Sequence, residues 1–110
     1  MKVPTGDQLV VILGTLANPH RLRVIAALAG ERAYVSQLAR DLGISRALLQ
    51  VHLRKLEAAG LVSAHMELSE EGKAMKFYEV TPFTLSLTPQ AIVAAAATLT
   101  VPAAGSGEGE

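Results

Sequence analysis

Residues 35–56 constrain this chain more than any other stretch. Val35-Ser36-Gln37-Leu38-Ala39-Arg40-Asp41-Leu42-Gly43-Ile44-Ser45 runs directly into Arg46-Ala47-Leu48-Leu49-Gln50-Val51-His52-Leu53-Arg54-Lys55-Leu56. Ser36 to Leu42 reads as a short helix with Leu38, Ala39 and Leu42 inward, stopped by Gly43. Ser45 is a strong N-cap for a longer helix from Arg46 to about Ala59, ended by Gly60. In that helix Leu49, Leu53 and Leu56 fall at i, i+4 and i+7 and make one apolar stripe. Arg46, Gln50 and Arg54 recur at i, i+4 and i+8 and are assigned to the opposite face. A short helix bracing a longer one across a glycine turn is the helix-turn-helix arrangement. It would let the longer helix lie in the major groove of duplex DNA with its polar face toward base edges.

The flanking sequence supplies more elements. Asp7 to Leu16 is apolar around most of a helical circumference, through Leu9, Val10, Ile12, Leu13 and Leu16. Asn18-Pro19 is an N-cap followed by proline at the first helical position, starting a helix to about Ala29 that Gly30 stops. Its expected core face is Leu22, Ile25, Ala26 and Leu28. Leu61 to Leu68 and Ala74 to Val80 are strand candidates joined by Ser69-Glu70-Glu71-Gly72-Lys73, a hairpin of the size of a wing. Thr88-Pro89 opens a last helix to about Val101, made of uncharged residues and closed by Pro102. Residues 1–101 are expected to form one domain and 102–110 a disordered tail.

Net charge is zero over 110 residues. The distribution is uneven. From His20 to Lys55 there are seven basic residues (Arg21, Arg23, Arg32, Arg40, Arg46, Arg54, Lys55) against two acids, Glu31 and Asp41. On charge alone this fits a phosphate-binding surface and an ordinary solvated helical face equally well. The chain has no cysteine, which excludes disulfides, thiolate zinc sites and thiol nucleophiles. No apolar run is long enough to span a bilayer, and the expected location is the cytoplasm. There is no glycine-rich phosphate loop, no supported Ser/His/Asp set and no paired-carboxylate site, so no enzyme is expected.

Several runs resemble the ArsR/SmtB-type repressors. Leu16-Ala17-Asn18-Pro19-His20-Arg21-Leu22-Arg23-Val24-Ile25 is similar to a helix opening of that family. His52-Leu53-Arg54-Lys55-Leu56-Glu57-Ala58-Ala59-Gly60-Leu61-Val62 resembles the end of its recognition helix and the start of its wing. Gly72-Lys73 and Phe77-Tyr78-Glu79-Val80-Thr81-Pro82 resemble the wing tip and returning strand. The resemblance spans roughly residues 9–99. MarR-type and PadR-type regulators share the winged element but normally need longer flanking helices.

The expected fold class is therefore mainly α with a β-hairpin wing (α+β), a winged helix-turn-helix dimerising through its first and last helices. The resemblance implies a homodimer on a palindromic operator in double-stranded DNA, controlled by a small effector, with room for a regulatory partner protein. An apolar first helix and an uncharged last helix agree with such an interface, and Leu9, Ile12, Leu13, Leu16, Ile92, Ala95 and Leu99 are its candidates. The alternative is that the last helix only caps its own domain.

Residues expected at DNA are Ser45, Arg46, Ala47, Gln50, Val51, Arg54, Lys55 and Lys73. Arg46 and Gln50 suit guanine and adenine, Val51 a thymine methyl, and Arg54 and Lys55 phosphates. Lys73 and Lys76 would reach DNA from the wing, beside the opposing Glu70 and Glu71. A protein-interaction module without DNA binding is the competing function. Many relatives sense metals, but the thiolates of one family site and the last-helix Asp and His ligands of another are missing here. His20, His65 and Glu67 remain as weak candidates for nickel or zinc, with His65 and Glu67 on one strand face. Structurally satisfied histidines are the favoured reading. His52 is expected to be structural or DNA-facing.

Overall fold

Four side-chain caps set where the helices of this computed structural model begin. Residues 3–100 are described. Thr5 and Gln8 form a reciprocal capping box, Thr5 Oγ1 accepting from Gln8 N at 3.2 Å and Thr5 N donating to Gln8 Oε1 at 2.9 Å. This starts α1 at Gly6–Leu16. Asn18 Oδ1 accepts from His20 N and Arg21 N and, with Pro19 at the first position, opens α2 at Pro19–Gly30. Ser45 caps α4 (Arg46–Ala58), its Oγ accepting from Leu48 N at 3.1 Å. Thr88 caps α5 (Pro89–Ala96) through Ala91 N at 3.0 Å.

Between α2 and α4 lie β1 (Ala33–Tyr34) and α3 (Val35–Leu42). After α4 come β2 (Val62–Leu68) and β3 (Ala74–Val80). The sheet is antiparallel in the order β1-β3-β2, with Val62 opposite Val80 and Leu68 opposite Ala74. The α3–α4 turn depends on Gly43, which adopts φ 69°, a left-handed conformation that side-chain-bearing residues disfavour. It lets Ile44 N reach back to Ala39 O at 3.2 Å, so the chain reverses within two residues before Ser45 restarts it.

The core lies where α2, α3 and α4 meet the inner face of the sheet. It contains Val24, Leu28, Leu38, Leu49, Leu53, Leu56, Leu61, Val62 and Tyr78. Ile12 and Leu16 of α1 pack against this core from their own chain.

Three expectations change. The buried side of α2 is Val24 and Leu28, with Ile25 half-buried, whereas Leu22 is 55% exposed and Ala26 is exposed. The cause is Arg21, which turns inward and places Arg21, Val24 and Leu28 along one stripe at i, i+3 and i+7. The strand β1 has no counterpart in the sequence reading, because two residues are too few to show alternation. The last helix is shorter than the expected run to Val101. Thr98 ends it by donating Oγ1 to Ala95 O at 3.0 Å while accepting Gly6 N at 2.7 Å. Leu99 thus lies beyond α5, and Val101 and the expected tail 102–110 fall outside the described residues. Among the described residues no single helix is long and apolar enough to cross a membrane.

Candidate nucleic-acid interface

The helix α4 buries Leu49, Leu53 and Leu56 completely and His52 to 5% exposure. His52 widens the buried side beside the three leucines. At 3.6 residues per turn the ridge directly opposite is Ala47, Val51, Arg54 and Ala58, all exposed. Arg46 and Gln50 stand on one flank, and Leu48 and Lys55 on the other. The assignment of Arg46, Gln50 and Arg54 to a single opposite face is thereby corrected: Arg54 is on the ridge and the other two are beside it.

The flank carrying Arg46 and Gln50 faces the wing. A cleft of about 520 Å³ lies between them, lined by Ser36, Arg46, Gln50, Met66, Lys73 and Lys76 among others. The structure thus gathers Arg46, Gln50, Lys73 and Lys76 around one open channel. Ser45 sits at its helix end, its hydroxyl oxygen accepting from Leu48 N and its proton free to donate. Lys76 Nζ lies 5.4 Å from the Tyr78 ring, which orients it along the wing. Arg54 and Lys55 lie further along α4 and do not line this channel. Ser36 and Met66 belong to it although the sequence marked neither; their only signal was proximity to the helix start and the wing.

Behind α4, one polar hub ties three helices together. Arg21 Nε donates to His52 Nδ1 at 3.1 Å, and Arg21 Nη1 donates to the Thr15 carbonyl of α1 at 3.3 Å. The His20 ring lies 5.3 Å from that of His52. With Nδ1 accepting, the neutral His52 ring carries its proton on Nε2, which is buried without a hydrogen-bond partner. Burial, followed by the neighbouring Arg21 and His20 charges, holds the His52 imidazole below its ordinary value of 6.5. The unfolded chain takes up a proton near 6.5 while the folded one resists, so this contribution to stability is complete above that value and declines as pH falls below it. Urea midpoints should therefore drop between neutral pH and pH 5, about the lower end of the histidine range. The drop should be smaller in His52→Gln, whose amide oxygen can still accept from Arg21. An equal drop in both proteins would remove His52 as its source.

The outer face of the sheet holds the other ionisable cluster. His65 and Glu67 share that face, as their spacing implied, but each has its own partner. His65 Nε2 is 3.0 Å from Glu79 Oε2 and 3.2 Å from Ser63 Oγ, and its ring stacks on Phe77 at 5.3 Å. Glu67 accepts from the Tyr34 hydroxyl at 2.7 Å and from Arg32 Nη2 at 3.1 Å. The Tyr34 hydroxyl, with Arg32 beside it, holds the Glu67 carboxyl below the ordinary range. Arg32 also lies 4.1 Å above the Phe77 ring. These contacts fasten β1 to the hairpin and so fix the wing to the body. His20 lies apart from them, against His52. Among the described residues no group of three or more His, Cys, Asp or Glu side chains could hold a metal ion.

A capped recognition helix braced by α3, with a hairpin wing across a basic cleft, defines a winged helix-turn-helix protein. Residues 18–64 match the family described as "Bacterial regulatory protein, arsR family". The regulator MJ0229 of Methanocaldococcus jannaschii, described as an uncharacterised HTH-type transcriptional regulator, is 36% identical over 75 residues, covering 67% of this chain and 78% of that protein. The nodulation protein NolR of Rhizobium meliloti is 40% identical over 55 residues, half of this chain but 45% of NolR. Among solved structures, the winged helix-turn-helix DNA-binding domain of Mb0332 from Mycobacterium bovis, described as homodimeric, superposes with a TM-score of 0.60 at 27% identity. That match covers 67% of this chain and 64% of the other. The chain belongs to the ArsR family of bacterial regulatory proteins. It is a DNA-binding transcriptional regulator, not an enzyme.

Proposed function

We propose that the chain works inside the cell as a homodimer that binds a palindromic operator and changes transcription in response to an effector. The observation that carries this reading is the apolar surface left open on α1 and α5. Val10 is 61% and Val11 51% exposed on α1, and Ile92 is 51% and Val93 71% exposed on α5; no residue of α5 is buried. The two helices pack closely where Gly6 meets the Ala95 carbonyl, so their open apolar surfaces lie on neighbouring helices. A patch of this kind on a small regulator is covered by a partner. A two-fold partner would set two α4 helices at the spacing of successive major grooves. Leu9, Leu13 and Ala95 adjoin the patch. Ile12 and Leu16 support it from beneath, and Leu99 packs beside Gly6.

Light scattering at micromolar concentration should give twice the chain mass of 11.5 kDa. Ile92→Asp with Val93→Asp should return the mass to one chain and weaken operator binding with the circular dichroism spectrum unchanged. A folded wild-type monomer that binds its operator fully would overturn the dimer. Absence of any selected duplex would favour the protein-interaction module instead.

A further inference from the structure

The ridge that α4 turns outward is apolar over its first two turns. Ala47 and Val51 stand opposite the buried Leu49, His52 and Leu53, and Val51 leaves 46% of its surface open. Polar side chains occupy the wing flank, at Arg46 and Gln50, and occur on the ridge itself only at Arg54. Packing within the chain does not call for valine at an exposed position, where β-branching disfavours the helix.

A helix entering the major groove presents the ridge opposite its buried side to the groove floor, and its N-terminal turns reach deepest. The floor offers hydrogen-bond donors and acceptors at every base pair, and one apolar group, the 5-methyl of thymine. An isopropyl group pressed on a donor or acceptor strips its water and returns no hydrogen bond, which is unfavourable. Pressed on a methyl group, it buries apolar surface on both sides.

We propose that Val51 reads thymine through its 5-methyl group at one fixed position in each half-site, with the small Ala47 allowing the helix backbone to approach. This rests on the DNA-reading function above and names the base that the exposed ridge selects. Gln50 and Arg46, on the flank, would read the pairs on the wing side of that thymine.

The full chain is first used to select its operator from a random duplex pool. Binding is then measured by anisotropy on operators in which each thymine in turn is replaced by deoxyuridine, which lacks only the methyl. At one thymine per half-site the replacement should weaken binding about fourfold, the worth of one buried methylene-sized group. In Val51→Ala that ratio should fall toward one, and with the thymine replaced in both half-sites the variant should bind with near wild-type affinity. Since Val51 is exposed, its truncation opens no cavity. If no single deoxyuridine weakens wild-type binding, or if the effect persists undiminished in Val51→Ala, the assignment is overturned while DNA binding stands. Failure to select any duplex would overturn the DNA-reading function itself, and this inference with it.

Discussion

Gly6→Ala should destabilise the fold and loosen the dimer, whereas Gly14→Ala, further along the same helix, should do neither. A Cβ on Gly6 would run into the Ala95 carbonyl oxygen and the Leu99 side chain, while one on Gly14 meets nothing within 4 Å. At Gly6 the obstacle is backbone, which does not swing aside as a long side chain would. To accept the methyl group, α1 must draw away from the end of α5. That movement would stretch the bond from Gly6 N to Thr98 Oγ1 (2.7 Å) and the one from Thr100 Oγ1 to Asp7 Oδ2 (2.6 Å). Overpacking of this kind costs about 1–3 kcal/mol. The same two helices carry the exposed apolar patch, so the dimer dissociation constant should rise about tenfold for each ~1.4 kcal/mol passed to the interface. Gly14→Ala should gain ~0.5–1 kcal/mol, because glycine inside a helix gives up more chain entropy than alanine. Thermal unfolding of both variants in dilute solution, with sedimentation to follow the dimer, checks the contrast. Midpoints that shift in the same direction would show that close α1–α5 approach is not what Gly6 provides.

The helix-turn-helix was legible because its determinants are local. Gly43, Ser45 and the Leu49, Leu53, Leu56 spacing act within a few residues of the structure they specify, and the hairpin follows from strand composition around Gly72. The failures were cases in which a distant partner decided. Arg21 turned inward because His52 and the Thr15 carbonyl receive its guanidinium, and periodicity had assigned that helix face by counting apolar residues. The end of α5 depended on Thr98 and Thr100 reaching α1, across more than ninety residues of sequence. The strand β1 exists because Tyr34 pairs with Phe77 and closes on Glu67. Within the interface, the identity of the reading helix was clear, but its rotation was not. The Leu49, Leu53, Leu56 stripe already sets Val51 almost directly opposite and Arg46 and Gln50 to one side; the i, i+4, i+8 recurrence of the polar residues hid this. Burial of His52 leaves Val51 on the outward ridge.

Substitutions on α4 and the wing should separate base reading from phosphate binding. Arg46 and Gln50 line the cleft near the start of α4, where side chains reach base edges. Arg46→Ala or Gln50→Ala should therefore cost ~1–3 kcal/mol on the operator and relax the preference at particular base pairs, with a smaller effect on random DNA. Lys73 extends from the wing, and Arg54 lies further along α4, where the helix leaves the groove; both should meet phosphate. Lys73→Ala and Arg54→Ala should weaken operator and random DNA by similar factors. Removing one cation from a phosphate should lower the slope of log affinity against log salt by about one, so a dimer carrying two copies of the substitution should show a slope lower by about two. Anisotropy on both duplexes across a salt series measures all of this at once. Arg54 is the most exposed to refutation, since it shares the outward ridge with Val51. If Arg54→Ala changes base preference and leaves the salt slope intact, the helix lies deeper in the groove than its first two turns, and Arg54 reads bases. If none of the four substitutions alters affinity, the cleft between α4 and the wing is not where this regulator meets DNA.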